Sequence, residues 1–346
     1  IEAKGATLLP GLWDMHAHFA QTDWGPTYLA AGVTSARDCG EEFDFITSER
    51  EAIAKGEVLG PKLLLAGLVD GSGPKTFGAN WADTPEQGRA MVVHYKAADF
   101  VQMKIYDGIQ PNVVRAITAE AHRQGMTVTG HVPRGMTAQE AVEAGMDQIN
   151  HIGSVFQAVN SSTPTQAIQF YRNHRTVIDP TMAWNELLGH PQNFPISSFE
   201  PGFAKAPWVL TSLIGTAETA AAGAPQSPRF HEMLALIKAL YVAGVPIVAG
   251  TDKAIPGHSL HRELELYVEA GIAPMDVIRL ATAGAAGVMH VEKEVGTVEP
   301  GKRADLILVN GNPLQDFTAL RKVTRVITNG NMYDSAALWR SVDFQP

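Results

Sequence analysis

The sequence contains a single cysteine, Cys39, in 346 residues, so no disulfide forms within the chain, and cysteine usage says little about compartment. No apolar run approaches the ~20 residues that a membrane-spanning helix needs. The chain as given therefore reads as soluble, cytoplasmic or exported; it opens inside a strand-like run without an initiating Met, as if an upstream leader had been removed. Basic charge is also short. There are 27 Lys and Arg against 36 Asp and Glu, a net charge of -9, and no Lys/Arg-rich block, which argues against a nucleic-acid partner. No Gly-rich phosphate loop follows the first strand candidate, which weighs against a doubly wound sheet. What is present is an apolar fraction of 45%, enough for one large barrel with an appendage or for two domains.

A local pattern repeats along the chain: a helical segment, a glycine, an apolar run, then a polar residue. Gly32 leads to Asp38, Gly125 to His131, Gly145 to His151 and Gly244 to Asp252. Glycine after a helix is the usual left-handed cap, and the β-branched run that follows reads as a buried strand. With further candidates, strands are expected near residues 8–16, 33–39, 62–70, 100–106, 127–132, 148–152, 177–183 and 246–252. Short connections and intervening helices make them parallel, and eight is the count of a (β/α)8 TIM-like barrel, whose catalytic residues sit at the C-terminal strand ends. Residues 184–230, with Pro191, Pro195, Pro201, Pro207, Pro225 and Pro228, read as an insertion on that face, a lid, a substrate wall or a plain surface excursion. After a helical stretch at 275–290, runs at 296–302, 304–309 and 323–328 read as turn-punctuated strands of a small closing β-module. The expected division is a barrel over 8–290 and a β-module made of 291–346 with 1–7.

Chemistry concentrates at the inferred strand ends. His16 and His18, two apart on a strand, leave on one face and form a ready chelate for a transition metal. In Phe100-Val101-Gln102-Met103-Lys104-Ile105-Tyr106, Val101, Met103 and Ile105 alternate with Gln102, Lys104 and Tyr106, so one set faces the helices and the other the barrel interior. A lysine there is costly unless its charge is paired or removed. Carbamylation by carbon dioxide would turn it into an anion able to bridge two cations. His131 and His151 form a second imidazole pair, and Asp252 in Ala249-Gly250-Thr251-Asp252 adds a carboxylate at the last strand. Any one of these alone would be unremarkable as a hydrogen-bonding residue.

In type and order, His16, His18, Lys104, His131, His151 and Asp252 resemble the ligand set of the amidohydrolase superfamily in its binuclear-metal, carbamylated-lysine form. The flanking Leu9-Pro10-Gly11, Gly250-Thr251-Asp252 and Pro300-Gly301-Lys302-Arg303-Ala304-Asp305-Leu306 resemble it too, and Glu263-Leu264-Glu265-Leu266-Tyr267 is similar to the imidazolonepropionase-like and Xaa-Pro dipeptidase-related branch. The resemblance implies two divalent metal ions, zinc by preference: one on His16, His18 and Asp252, the other on His131 and His151, with carbamylated Lys104 between. It implies cleavage of an amide C–N bond of a small substrate, such as a dipeptide or N-acyl amino acid, by a metal-bridged hydroxide, Asp252 accepting and returning the proton. It also implies a β-sandwich assembled from both chain ends, whose N-terminal share looks missing here. Tyr106, Arg134 and His258 follow ligand-bearing strand ends and are candidate substrate contacts, Arg134 for a carboxylate.

A single-metal deaminase of the same superfamily is the nearest alternative. It typically lacks the bridging lysine and places a Glu where this chain has Arg134. A cyclic-amide or lactone hydrolase and a non-catalytic assembly protein on the same fold are further alternatives, the last expected to lose ligands that are all retained here. Small-molecule binding is expected in every enzymatic reading, and assembly into homo-oligomers is left open.

Overall fold

The computed structural model describes residues 3, 5–74, 76, 80–190, 194–211, 227–344 and 346. Parallel strands β2 (Leu12–Ala17), β3 (Val33–Asp38), β4 (Lys62–Val69), β5 (Gln102–Ile105) and β6 (Thr127–Gly130) form one curled sheet, and β7 (Gln148–Asn150) pairs in parallel with β8 (Val177–Asp179). Between the two ladders, Asp147 N–H donates to Val128 O at 2.9 Å and the Asp147 carboxylate accepts from Val128 N–H at 2.7 Å. Residues 246–252, expected as the eighth strand, make isolated parallel bridges, Ile247 to Ile178 and Asp252 to Ala17. Their hydrogen bonds reach β8 through Val248 N–H to Ile178 O (3.0 Å) and β2 through Asp252 N–H to His16 O (2.7 Å).

The four glycines singled out above all have left-handed φ, Gly32 at 83°, Gly125 at 72°, Gly145 at 106° and Gly244 at 78°. Each reverses a helix end into the next strand without the steric penalty that a Cβ would meet. Side-chain parity follows. Trp13 and Met15 pack outward with Leu64, Val248, Ala285 and Met289, so Asp14, His16 and His18 point inward. On β5, Met103 and Ile105 join the main apolar core with Val92, Val113 and Ile117, leaving Gln102 and Lys104 inside.

Four expectations are corrected. The run 8–16 is two strands, because the chain turns out of one sheet and into another at Gly11, whose N–H bonds Asp305 O at 2.8 Å and where any side chain would collide with Thr34. Its first half, β1 (Thr7–Pro10), is not a barrel strand, and the N-terminal share of the second sheet is present: β1 pairs antiparallel with β9 (Leu306–Val309), which continues through β10 (Val323–Thr328) to β11 (Asn331–Asp334). Residues 296–302 form turns, not a strand, and a 3-10 helix, Phe317–Arg321, intervenes between β9 and β10. The module is one four-stranded sheet among the described residues; helices Gly25–Ala30 and Ser335–Ser341 pack on it where a second sheet was expected.

In the 184–230 stretch, helix Met182–Gly189 runs into its start and helix Pro228–Val242 begins at its end, with short 3-10 turns and helix Trp208–Thr211 between. Pro191 and Pro225 lie outside the described residues. No helix among the described residues is long and apolar enough to cross a membrane.

Candidate metal centre

All six candidate ligands converge. His16 and His18 leave β2 on one face, and their donor atoms lie within 4.8 Å of one another and of an Asp252 carboxylate oxygen. His18 Nε2 is 3.4 Å and His16 Nε2 3.9 Å from Asp252 Oδ1. Asp252 is brought there by Asp14, whose carboxylate accepts from His16 N–H (3.1 Å), Thr251 N–H (3.2 Å) and the Thr251 hydroxyl (2.6 Å). Gly250 is required where the chain passes His16, since an added Cβ would collide with the His16 side chain. Lys104 Nζ lies 3.2 Å from His16 Nε2 and donates to Asn150 Oδ1 at 2.7 Å. His151 Nε2 is 3.0 Å from His131 Nε2, and the rings of His16 and His151 are 5.1 Å apart. His151 (φ 65°) and Asp252 (φ 54°) hold left-handed backbone that non-glycine residues rarely adopt, as does Thr181 (φ 48°). Such strain persists only where the surroundings enforce it, and two of the six candidate ligands carry it.

Each imidazole is oriented from behind. Nδ1 of His16 is 2.7 Å from Asp179 Oδ2, Nδ1 of His18 3.2 Å from Glu41, Nδ1 of His131 2.7 Å from Asp107 and Nδ1 of His151 2.8 Å from the Thr181 hydroxyl. The Thr181 hydroxyl donates to Pro180 O, so it accepts from His151. The network thus assigns the proton to Nδ1 and turns four Nε2 lone pairs toward one small space. Two of those lone pairs face each other at 3.0 Å, and His18 Nε2 is buried without a well-aligned hydrogen bond. A donor set of converging neutral imidazoles with one carboxylate fits divalent transition cations.

Electrostatics agree at three of the four imidazoles. Burial, then the nearby Lys104 and His151, hold His16 well below the ordinary imidazole range, and burial with His131 does the same to His151. Burial likewise lowers His131, Asp107 opposing it only in part. Burial lowers the Lys104 ammonium too, with Cys39, Asp252 and Asp179 opposing it. His18 is the exception: burial would lower it, but Asp252 and Glu41 raise it to about 9. Burial would raise Asp252, yet His18, His151 and Lys104 outweigh it and keep that carboxylate ionised far below its usual range.

Tyr106 lies over the site, its ring 4.3 Å from that of His131 and 5.3 Å from Lys104 Nζ. Arg134 is exposed at the mouth, its N–H bonded to Asp107 O at 2.9 Å. His258 stands elsewhere. Its Nδ1 is 2.6 Å from Glu200 and its ring packs on Trp339 and Phe344, because Gly257, at φ 70°, turns the loop against Tyr28. His258 makes no hydrogen bond or ion pair with any of the six ligands; its contacts are with Glu200 and the C-terminal aromatic residues. What sequence reasoning missed is the layer behind the imidazoles: Glu41, Asp107, Asp179, Thr181 and Asp14. The available signal was position, since each of these residues lies in or just after a segment that ends near a ligand.

The curled parallel sheet and this donor set define a metal-dependent hydrolase. The sequence profile of the amidohydrolase family matches residues 7–333, and the chain belongs to that family as a hydrolase of carbon–nitrogen bonds. It is similar to the ochratoxinase of Aspergillus niger, 27% identical over 94% of this chain and 75% of that protein. In fold it is similar to a Xaa-Pro dipeptidase crystallised with methionine in its active site (TM-score 0.73, 24% identity, 95% of this chain and 87% of that one). It is similar as well to a putative prolidase from Bifidobacterium longum (TM-score 0.72, 26% identity, 99% and 86%).

Proposed function

We propose that this protein hydrolyses the amide bond of a small substrate, a dipeptide or an N-acyl amino acid, at a centre of two divalent cations, zinc by preference. His16, His18 and Asp252 would hold one cation and His131 and His151 the other, a carbamate on Lys104 serving both sets of ligands. When bound, the cations acidify water and polarise the scissile carbonyl. The observation that carries this reading is the inward turn of four oriented imidazole Nε2 atoms around Lys104 and Asp252. The relatives named above as dipeptidase, prolidase and ochratoxinase favour an amide substrate.

The chain's own residues then have definite tasks. Asp252, ionised throughout the neutral range, takes the proton from the attacking water and passes it to the leaving nitrogen, because leaving as a neutral amine avoids a poor anionic leaving group. Tyr106, packed on His131, forms a wall of the site, and Arg134 at the mouth pairs with a substrate carboxylate. Within the excursion, the described residues 184–190 and 194–211 wall the mouth. These parts sit on a closed (β/α)8 barrel that begins at β2, just after the crossing at Gly11, and runs to residue 290 with 246–252 as its eighth strand; the β-module comprises 291–346 with the N-terminal residues through β1. Homo-oligomerisation is compatible with all of this.

Arg134, where a deaminase of the superfamily typically has Glu, favours the amidase reading over the deaminase one. The test is a library of dipeptides and N-acyl amino acids offered to metal-loaded protein, with adenine and other aminopurines alongside. Turnover of amides supports the proposal, and ammonia release from aminopurines with amides untouched would overturn it.

A further inference from the structure

Asn150 immediately precedes His151 at the end of β7 and is fully buried. Its amide nitrogen donates to Asp179 Oδ2 at 2.8 Å and to the Thr129 hydroxyl at 3.1 Å, and its carbonyl oxygen accepts from Lys104 Nζ at 2.7 Å. This orientation is imposed. Asp179 Oδ2 also takes hydrogen bonds from His16 Nδ1 (2.7 Å) and from Arg37 Nη2 (3.0 Å), while Asp179 Oδ1 has no partner. Oδ2 is therefore an acceptor, and Asn150 can face it only with its NH2 end. Arg37 is itself fully buried, donating to Gln148, Gln102 (3.3 Å) and Thr129 (3.5 Å), so the anchor beneath Asn150 is held from several strands.

Resting on the carbamate reading of Lys104, we infer that Asn150 is the positioning residue for that carbamate. The lone pair of the neutral Lys104 amine attacks the carbon of carbon dioxide, an N–C bond forms, and one C=O electron pair moves onto oxygen. One nitrogen proton leaves to solvent water, and the product, Nζ–H with an attached carboxylate, keeps one N–H. Among the described residues Lys104 Nζ has two hydrogen-bonding neighbours, and on the proposed reading the lone pair of one, His16 Nε2, would face a cation. Asn150 Oδ1 is the other, so the remaining N–H points to Asn150. The carbamate is planar, and fixing its N–H on one side turns both oxygens toward the imidazole pairs. Without Asn150 that N–H is buried and unpaired, and the free amine, which can turn elsewhere, is favoured over the carbamate.

The test uses protein refolded or grown with 13C-labelled bicarbonate, reading the carbamate carbon by NMR and the metal by elemental analysis. The wild type is expected to show the carbamate and about two cations per chain, as a two-cation centre requires. Asn150→Ala, and the near-isosteric Asn150→Asp, whose carboxylate would hold Lys104 as ammonium, should lower carbamate occupancy by roughly tenfold or more for the lost buried hydrogen bond. Metal should fall toward one per chain. In Lys104→Ala supplied with propionate, which occupies the carboxylate position without an N–H, adding Asn150→Ala should change metal content no further. Full carbamate in both Asn150 variants would overturn the role of Asn150 alone. An equal further loss in the propionate-rescued background would show a general structural role and overturn it as well. Absence of carbamate in wild type, with two metals retained in Lys104→Ala, would overturn the carbamate reading and this inference with it.

Discussion

Asp179→Asn probes the support of the centre without touching a ligand. Asp179 Oδ2 collects three donors, His16 Nδ1 at 2.7 Å, Asn150 Nδ2 at 2.8 Å and Arg37 Nη2 at 3.0 Å, all with fully buried side chains. Replacing the carboxylate with an amide does two things. It removes the partner that keeps the His16 proton on Nδ1, so His16 Nε2 is free for a cation in only part of the population. Loss of such a partner typically costs 10-fold to 100-fold in metal affinity, or about 1.4 to 2.7 kcal/mol. It also removes the carboxylate paired with Arg37, the only one among the described residues, and a buried charge deprived of its partner costs on the order of 3 to 5 kcal/mol. The second effect is the larger, so the variant should unfold at lower denaturant in the metal-free form, with weakened zinc binding on top. Chelator-competition titration measures the first and urea unfolding of the metal-free protein the second. Wild-type zinc affinity together with wild-type stability would refute the assignment of Asp179 as the group that holds both His16 and Arg37.

Three further outcomes are expected. Asp252→Asn keeps the shape and one donor oxygen but cannot take a proton, so turnover should fall by roughly 100-fold to 10,000-fold while much of the metal is retained, and the acidic limb of the rate profile should move; a stopped assay across pH checks both. Arg134→Met should weaken substrates with a free carboxylate by about 1.5 to 3 kcal/mol relative to their amides, and equal losses in kcat/KM on both would assign Arg134 to structure. Glu263, fully buried and accepting from Ala183 N–H at 2.6 Å, is pushed up to about 8 by burial. The folded state thus keeps its proton where the unfolded state has lost it, so this group's contribution to stability is intact near pH 4 and is lost as pH rises to 8. Glu263→Gln should remove that slope and gain stability over wild type by up to a few kcal/mol at pH 8, read by urea unfolding at pH 5 and pH 8.

Much of this site could be read before any coordinates because its determinants are local. Strand parity alone sends His16 with His18 inward and separates Lys104 from Met103 and Ile105, and each helix-capping glycine marks where the next strand begins. The pairing of Asp179 with His16 joins residues 163 apart, and no periodicity encodes such a contact. The same holds for Glu41 behind His18 and for Arg37 under Asp179. The first strand was misread because Leu8-Leu9-Pro10 and Leu12-Trp13 are equally apolar, and only Gly11 between them marks the crossing from one sheet to the other. The packing of His258 has a related origin. Sequence order puts it six residues after Asp252, but the turn at Gly257 and the Glu200 carboxylate, held down to about 2 by His258 and Arg321 against the effect of burial, draw it into the contact with the C-terminal helix.

The central claim is that four oriented imidazoles, Asp252 and modified Lys104 form one centre for two cations. Elemental analysis of protein purified without chelator and equilibrated with zinc and bicarbonate tests it directly. About two zinc ions per chain are expected, falling to about one in Lys104→Ala. A folded, zinc-supplemented protein that holds none, or that binds two with Lys104 absent and no carboxylate added, would contradict it.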